Sequence, residues 1–160
     1  MHKVEEKPIE ESKMTETGMI FKRDAYNEGS FLFDDGTFGH VADPEFDVSE
    51  FIGNEDFDWS VLDSSDQDAI DEAVRKEFGG KLPIGNIYID RWDLNGEFYQ
   101  GGCFLYYDGE SLSDYCLRNG EPMPVRRVPD EVTDLLEAGD FDGLRALSDV
   151  VPELKGIRRI

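Results

Sequence analysis

No lysine or arginine occurs between Arg23 and Arg75, a stretch of 51 residues that carries sixteen aspartates and glutamates and one histidine, His40. The whole chain has 160 residues and a net charge of −21, and its first 80 residues hold 22 acidic and 7 basic side chains. An excess of one sign that is concentrated in one half of a chain creates a directed electrostatic field. This field repels phosphates, so we do not expect direct binding to nucleic acid or to an anionic membrane.

Cysteine is scarce, and long apolar runs are missing. Cys103 and Cys116 are the only cysteines, which is too few for the disulfide framework of a small secreted protein. The first residues contain no apolar segment of the kind found in a signal peptide, and no run reaches the length of a membrane span. The sequence therefore predicts a soluble cytoplasmic protein.

Motifs of catalysis and of metal binding are also missing. The chain has no G-x-S-x-G, H-E-x-x-H or Walker-type lysine motif. The acids fit no EF-hand loop in the three registers that begin at Asn54, Asp56 and Asp93, because none of these places glycine at the sixth position or glutamate at the twelfth. The few histidines and cysteines do not form a zinc pattern, and the two cysteines are better explained as buried thiols of a sheet. We expect no metal ion and no cofactor.

Glycine-containing turns predict an antiparallel sheet. Asp35-Gly36 and Asn95-Gly96 each separate two apolar, aromatic runs, which is typical of two-residue hairpins with a type I′ turn. Asp108-Gly109 and Asn119-Gly120 add two reversals, and these predict a meander that includes a strand over 111–117. Two consecutive glycines at 101–102 indicate a β-bulge.

Seven aromatic residues between Tyr88 and Tyr107 belong to this predicted meander. They could stack on bases, but such platforms are accompanied by a basic groove, and only Arg91 lies among them. We therefore expect them to pack in the core of the sheet.

Helix signals lie between and after the strands. Ser65 with Asp68 three residues later resembles a capping box, and Gly79 suits the left-handed position after the last turn. Pro129 and Asp140 begin two short helices near the end of the chain. The predicted fold is α+β, with an antiparallel sheet (a hairpin plus a meander), one central helix and a short C-terminal helical segment.

Two parts of the chain have no clear periodicity. Residues 1–17 are polar and are expected to form a disordered tail, so that residues 18–160 make a single α+β domain. Residues 42–63 mix aromatic residues with acids, and we interpret them as a loop with short turns and a strand near 57–62.

Three functions fit the acidic stretch. It can be a solvated acidic face, as in a halophile-type globular domain without a partner. The chain can also be a small enzyme with an unrecognised site, in which His40 acts as a base beside Asp34, Asp35 or Asp43. The third function is a decoy, a non-catalytic inhibitor that occupies a basic, nucleic-acid-binding surface of a partner protein such as a nuclease, a CRISPR effector or a toxin.

The decoy hypothesis depends on carboxylate spacing and on aromatic residues. Carboxylates at i and i+2 of a strand lie about 6.6 Å apart on one face, and B-DNA advances about 3.4 Å per nucleotide along each strand. Acids of the chain recur at this spacing, and aromatic residues between them could anchor an interface. The predicted binding residues are Asp34, Asp35, Asp43, Glu45, Asp47, Glu50, Glu55, Asp56, Phe57, Asp58, Trp59 and Asp63.

Overall fold

A computed structural model describes residues 18–157, so the tail predicted over 1–17 lies outside the described residues. Its five strands form one antiparallel sheet in the order β4-β3-β2-β1-β5. Both predicted hairpins therefore belong to the same sheet. The strands are β1 (Gly29–Phe33), β2 (Phe38–Ala42), β3 (Pro83–Trp92), β4 (Phe98–Tyr107) and β5 (Pro124–Val128).

Four α-helices accompany the sheet in the described part of the chain, which confirms the α+β class. Three short 3₁₀-helices lie at Val48–Phe51, Trp59–Asp63 and Pro152–Leu154. The α-helices are α1 (Gln67–Glu77), α2 (Leu112–Asn119), α3 (Asp130–Ala138) and α4 (Phe141–Ala146).

Both faces of the sheet are packed. Neighbouring residues of β1 point to opposite faces, so they belong to different cores. Phe31 and Phe33 belong to a core that α2 covers together with the segment around Phe21. Leu32 belongs to a second core, which α3, α4 and the last 3₁₀-helix cover. The predicted helix starts at Pro129 and Asp140 are confirmed, and the left-handed Gly139 ends α3.

The two hairpins are confirmed, but the predicted turn type is wrong. Gly36 and Gly96 have positive φ, whereas Asp35 and Asn95 do not. In the first turn, the Gly36 N–H donates to the Phe33 carbonyl. This is the three-residue loop, in which a type I turn is followed by a left-handed glycine, and it matches the strand twist as well as a type I′ turn does.

The predicted strand over 111–117 is wrong, because these residues form α2. The Ser111 Oγ accepts a hydrogen bond from the Asp114 N–H and so caps the helix. Leu112, Tyr115 and Cys116 then share one buried face. The two cysteines were expected in one sheet. Cys103 does lie in the sheet, in β4 opposite Tyr88, but Cys116 lies in α2.

The two cysteines have different environments, which gives a direct test of this packing. Cys103 is exposed, whereas Cys116 is fully buried, and burial raises the pKa of the Cys116 thiol to about 12. We expect Ellman's reagent at pH 8 to modify one thiol of the native protein quickly and the other about a hundredfold more slowly. The variant Cys103→Ser should show no fast phase. Two fast thiols in the native protein would contradict the buried position of Cys116.

The predicted bulge in β4 is confirmed, but the predicted burial of the aromatic set is only half correct. The register with β3 shifts between Tyr88 and Asp90, where β4 holds one extra residue. Trp92 and Tyr106 are buried, whereas three aromatic side chains of β4 are between 41% and 52% exposed. These three are Phe98, Tyr99 and Phe104. They are exposed because β4 is the edge strand of the sheet.

Candidate functional site

The acidic connection between β2 and α1 is ordered by two similar turns. Asp47 accepts hydrogen bonds from the N–H and the Oγ of Ser49, at 3.0 and 2.7 Å. Asp58 accepts the same pair of bonds from Ser60, at 3.2 and 2.6 Å. Each aspartate thereby caps a 3₁₀-helix. The strand interpretation near 57–62 is therefore wrong, and the signal for these turns was the repeated Asp-x-Ser.

Ten acids of this connection and of the start of α1 are exposed, and we call them the acidic surface. None of the ten forms an ion pair with another residue of the described range 18–157. Their charge is therefore not neutralised by direct contact within that range. The ten residues are Glu45, Asp47, Glu50, Glu55, Asp56, Asp58, Asp63, Asp66, Asp68 and Glu72.

The decoy hypothesis depends on carboxylates spaced along strands, but the acids of the acidic surface do not lie on strands. The chain leaves β2 at Ala42, and residues 56 and 58 precede a 3₁₀-helix. Asp66 is the N-cap of α1 and accepts from the N–H groups of Asp68 and Ala69, so the predicted start at Ser65 is one residue early. The acidic surface is a set of turns and helix ends, and strand geometry does not set its spacing.

Two exposed aromatic rings lie within the acidic surface, and each rests on a second ring. Phe51 is 39% exposed and stacks on Phe46 at 5.6 Å between centroids. Trp59 is 42% exposed and meets the edge of Phe57 at 5.1 Å. Phe57 itself is only 8% exposed, so it supports Trp59 and does not present a contact surface of its own. Phe51 is one of the aromatic residues between the acids that were expected to anchor an interface, although it is not among the predicted binding residues.

Some of the predicted binding residues meet beside α1. A shallow concavity of about 440 Å³ lies between α1 and the second 3₁₀-helix, and Asp56, Phe57 and Asp58 contribute to its lining. Glu72 and Lys76 contribute from α1. Asp43 and Asp47 lie in a different concavity on the opposite flank of α1.

The acids of the first hairpin have structural partners. Asp34 accepts from the Met123 N–H at 3.1 Å, and Asp35 pairs with Arg91 at 2.8 Å. His40 lies opposite Ser30 and Asp90 in the sheet. Across the described chain, His40 forms no hydrogen bond with Asp34, Asp35 or Asp43.

The larger concavity, of about 610 Å³, is called the Tyr106 pocket here. The segment after β2, one flank of α1 and the start of β3 form its walls, and the Tyr106 side chain of β4 reaches it from the sheet. Among residues 18–157, the lining contains four acids, Asp24, Asp43, Asp47 and Asp71, and one cation, Arg23.

A chain of hydrogen bonds fixes Asp43 in this pocket. The Asn27 Nδ2 donates to the Tyr106 Oη at 3.1 Å, and the Tyr106 hydroxyl donates to the two carboxylate oxygens of Asp43 at 2.9 and 3.0 Å. Burial raises the pKa of Tyr106, which keeps the phenol protonated as the donor. Burial also raises the pKa of Asp43, and the hydrogen bonds from Tyr106 and Asn27 oppose that rise. Asp43 is a partly desolvated carboxylate without a cationic partner in the described chain.

Asp71, in the same pocket, is paired differently. Arg23 donates to both of its oxygens, each at 2.8 Å, and Gln67 adds a bond at 2.9 Å. The hydrogen bonds from Arg23 are the main reason why the pKa of Asp71 is lowered. Of the two hydrogen-bonded carboxylates compared here, Asp71 has a guanidinium partner and Asp43 has none in the described chain.

This pairing predicts a pH-dependent contribution to stability. A carboxylate whose pKa is lower in the folded state stabilises above its unfolded pKa, and this contribution is lost as pH falls through the folded value. Arg23→Gln should therefore lower the free energy of unfolding by about 1 kcal/mol at pH 7 and by much less at pH 3. Urea titrations at the two pH values measure the difference. An equal loss at both would show that the charge of Asp71 is not involved.

The sequence prediction missed Tyr106, Asn27, Arg23 and Asp71, which come from three distant segments of the chain. One signal was available, the glycine at position 85 within an otherwise apolar strand, because such a glycine often marks a close approach. A Cβ at Gly85 would lie 2.2 Å from the Tyr106 Oη.

Among residues 18–157, no cluster of three or more histidines, cysteines, aspartates or glutamates is arranged to hold a metal ion. Within that range there is likewise no helix with the length and apolar character needed to span a bilayer. Comparisons with protein-family models, with curated proteins and with solved structures found no match to this chain.

Proposed function

We propose that this protein is a non-catalytic acidic binding protein of the cytoplasm, which occupies a basic, nucleic-acid-binding surface of a partner protein. The observation that carries this proposal is the acidic surface. None of its ten exposed carboxylates forms an ion pair with a residue of the described chain. Lysines and arginines of a partner complement such a surface, and charge complementarity favours both specificity and rapid association. A surface that binds phosphates is a surface rich in these cations.

The two aromatic pairs, Phe46–Phe51 and Phe57–Trp59, supply binding affinity that charged groups alone do not. Charged groups at the rim of an interface contribute little affinity, whereas anchored aromatic side chains dominate it. Phe51 and Trp59 are held by the rings beneath them, so little side-chain entropy is lost when a partner covers them. This combination supports a binding protein over a solvated acidic face, which has no need of exposed, supported rings.

The experiment is capture from host-cell lysate with two variants of equal net charge. The test variant converts four acids of the acidic surface that cap no helix: Glu45→Gln, Glu50→Gln, Asp56→Asn and Asp63→Asn. The control variant converts four exposed acids outside that surface: Glu97→Gln, Asp134→Asn, Glu137→Gln and Asp149→Asn.

We expect wild type and control to capture the same partner in 50 mM salt and to lose it in 500 mM salt, because counterions compete with the contacts. The test variant should bind that partner about tenfold more weakly or worse. Capture that is absent at 50 mM salt, or equal weakening by the two variants, would remove the basis of the proposal.

A further inference from the structure

We propose that the Tyr106 pocket binds a guanidinium group on an apolar stem, namely an arginine side chain of the basic partner. This inference rests on the proposed function, but it assigns a separate site with its own ligand chemistry. Among the described residues, five charged groups face the cavity, and Asp43 is a partly buried carboxylate that neutral donors fix without a cation.

The first argument is the uneven pairing of charge in the cavity. Arg23 is the one cation among the described lining residues, and it already donates to both oxygens of Asp71. Asp43 is partly buried and is held by neutral donors alone. Burying a carboxylate without a cation costs free energy, and an incoming cation offsets that cost. Asp24 and Asp47 add negative charge to the lining, so the field in the pocket favours a cation.

The second argument is the shape and the lining of the cavity. Its volume of about 610 Å³ lies in the range of ligand sites. Apolar side chains share the walls with the acids, among them Phe46, Val48, Ile70 and Ile84. An arginine side chain has both characters, since its methylene stem packs on apolar surface while its head stays paired.

The third argument is the orientation of the Asp43 carboxylate. Tyr106 contacts both oxygens, and Asn27 fixes Tyr106, so the carboxylate is held in one plane. A fixed, planar carboxylate suits the planar fork of a guanidinium better than the point charge of an ammonium. The Arg23–Asp71 pair is an example of this geometry in the same pocket.

The position of the pocket connects it to the acidic surface. Asp47 belongs to both, and the segment between them is only a few residues long. A partner whose cations lie against the acidic surface can therefore insert one arginine into the pocket, as buried anchors do at the centre of other interfaces.

The experiment uses Nα-acetyl-L-arginine amide as the probe and the matching citrulline compound as its neutral isostere. Titrations of the full-length protein are followed by ¹H–¹⁵N NMR, which also reports the side-chain amide of Asn27. We expect the arginine compound to bind in the millimolar range and to shift that amide. The citrulline compound should bind at least about tenfold more weakly.

Two variants locate the site. Asp43→Asn should weaken the arginine probe at least about tenfold, whereas Asp56→Asn, on the acidic surface outside this pocket, should leave its affinity unchanged. The NMR spectrum shows that each variant is folded. Equal binding of arginine and citrulline, no detectable binding of either, or unchanged binding by Asp43→Asn would each overturn the proposal.

The same variants separate this site from the proposed function. The four-amide variant of the acidic surface should still bind the arginine probe, even though it loses the partner. If the probe fails while capture remains sensitive to the acidic surface, the pocket assignment is wrong and the proposed function stands. If the probe binds but no partner is captured, the pocket assignment stands and the proposed function is wrong.

Discussion

Replacing Gly85 with alanine is expected to lower the free energy of unfolding by about 3 kcal/mol and to disrupt the hydrogen-bond chain at Asp43. A Cβ at this position would lie 2.2 Å from the Tyr106 Oη and 2.3 Å from its Cζ. The Tyr106 side chain is 2% exposed, so the ring cannot move aside without disturbing the core. The cost combines overpacking with the loss of the bonds from Asn27 and to Asp43.

Thermal unfolding measures this loss, and a second glycine provides the control. A loss of this size in a chain of 160 residues corresponds to a melting temperature lower by roughly 10 °C. At Gly53 an added Cβ would meet nothing within 4 Å, and φ is not positive, so Gly53→Ala should leave the melting temperature within about 2 °C of wild type. If the two variants melt together, Tyr106 is not confined as described.

Replacing Asp43 with asparagine is expected to separate stability from binding. Burial raises the pKa of Asp43 in the folded state, so at pH 7 its charged form is disfavoured there relative to the unfolded chain. Asparagine removes that charge and keeps an acceptor for the Tyr106 hydroxyl. The melting temperature at pH 7 should therefore stay the same or rise by roughly 2 °C, while the arginine probe is lost.

The pH dependence of this effect has a definite sign. A carboxyl group with a raised folded pKa takes up its proton in the folded state first as the pH falls. At pH 7 the charged form of Asp43 lowers the free energy of unfolding by its full amount. This destabilisation decreases as the pH falls through the folded pKa. The advantage of Asp43→Asn over wild type should accordingly shrink between pH 7 and pH 4. A variant that is clearly less stable than wild type at pH 7 would show that the Asp43 charge stabilises the free protein.

The elements that were predicted correctly are those with local causes. The glycines of the two hairpins and the caps at Pro129 and Asp140 act within a few residues, so the sequence displays them. α2 was missed because Asp108-Gly109 and Asn119-Gly120, on either side of it, were interpreted as the turns of a meander. Its helical spacing becomes decisive only when one face packs on the sheet at Tyr115 and Cys116. Short turns were expected over 42–63, but the 3₁₀-helix at Trp59–Asp63 was predicted as a strand because neither strand nor helix periodicity describes a 3₁₀-turn.

The same distinction applies to the candidate site, of which one part could be predicted from the sequence and the other could not. The acidic surface was visible as a run of acids, because exposed charge is a property of the sequence itself. The Tyr106 pocket was not visible, since Asp43 and Tyr106 meet only through the pairing of β2 with β3 and of β3 with β4, and Asn27 and Asp71 join them from segments outside these strands. Asp43 was predicted for its charge alone, and its role changes once Tyr106 is beside it.

Competition by duplex DNA tests the proposed function most directly. The partner captured at 50 mM salt is titrated with DNA, and the composition of the complexes is followed by size-exclusion chromatography with light scattering. If the acidic surface occupies the nucleic-acid site, DNA and this protein exclude each other, and the DNA concentration at half displacement rises in proportion to the protein concentration. A stable ternary complex of partner, DNA and this protein would contradict the proposed function.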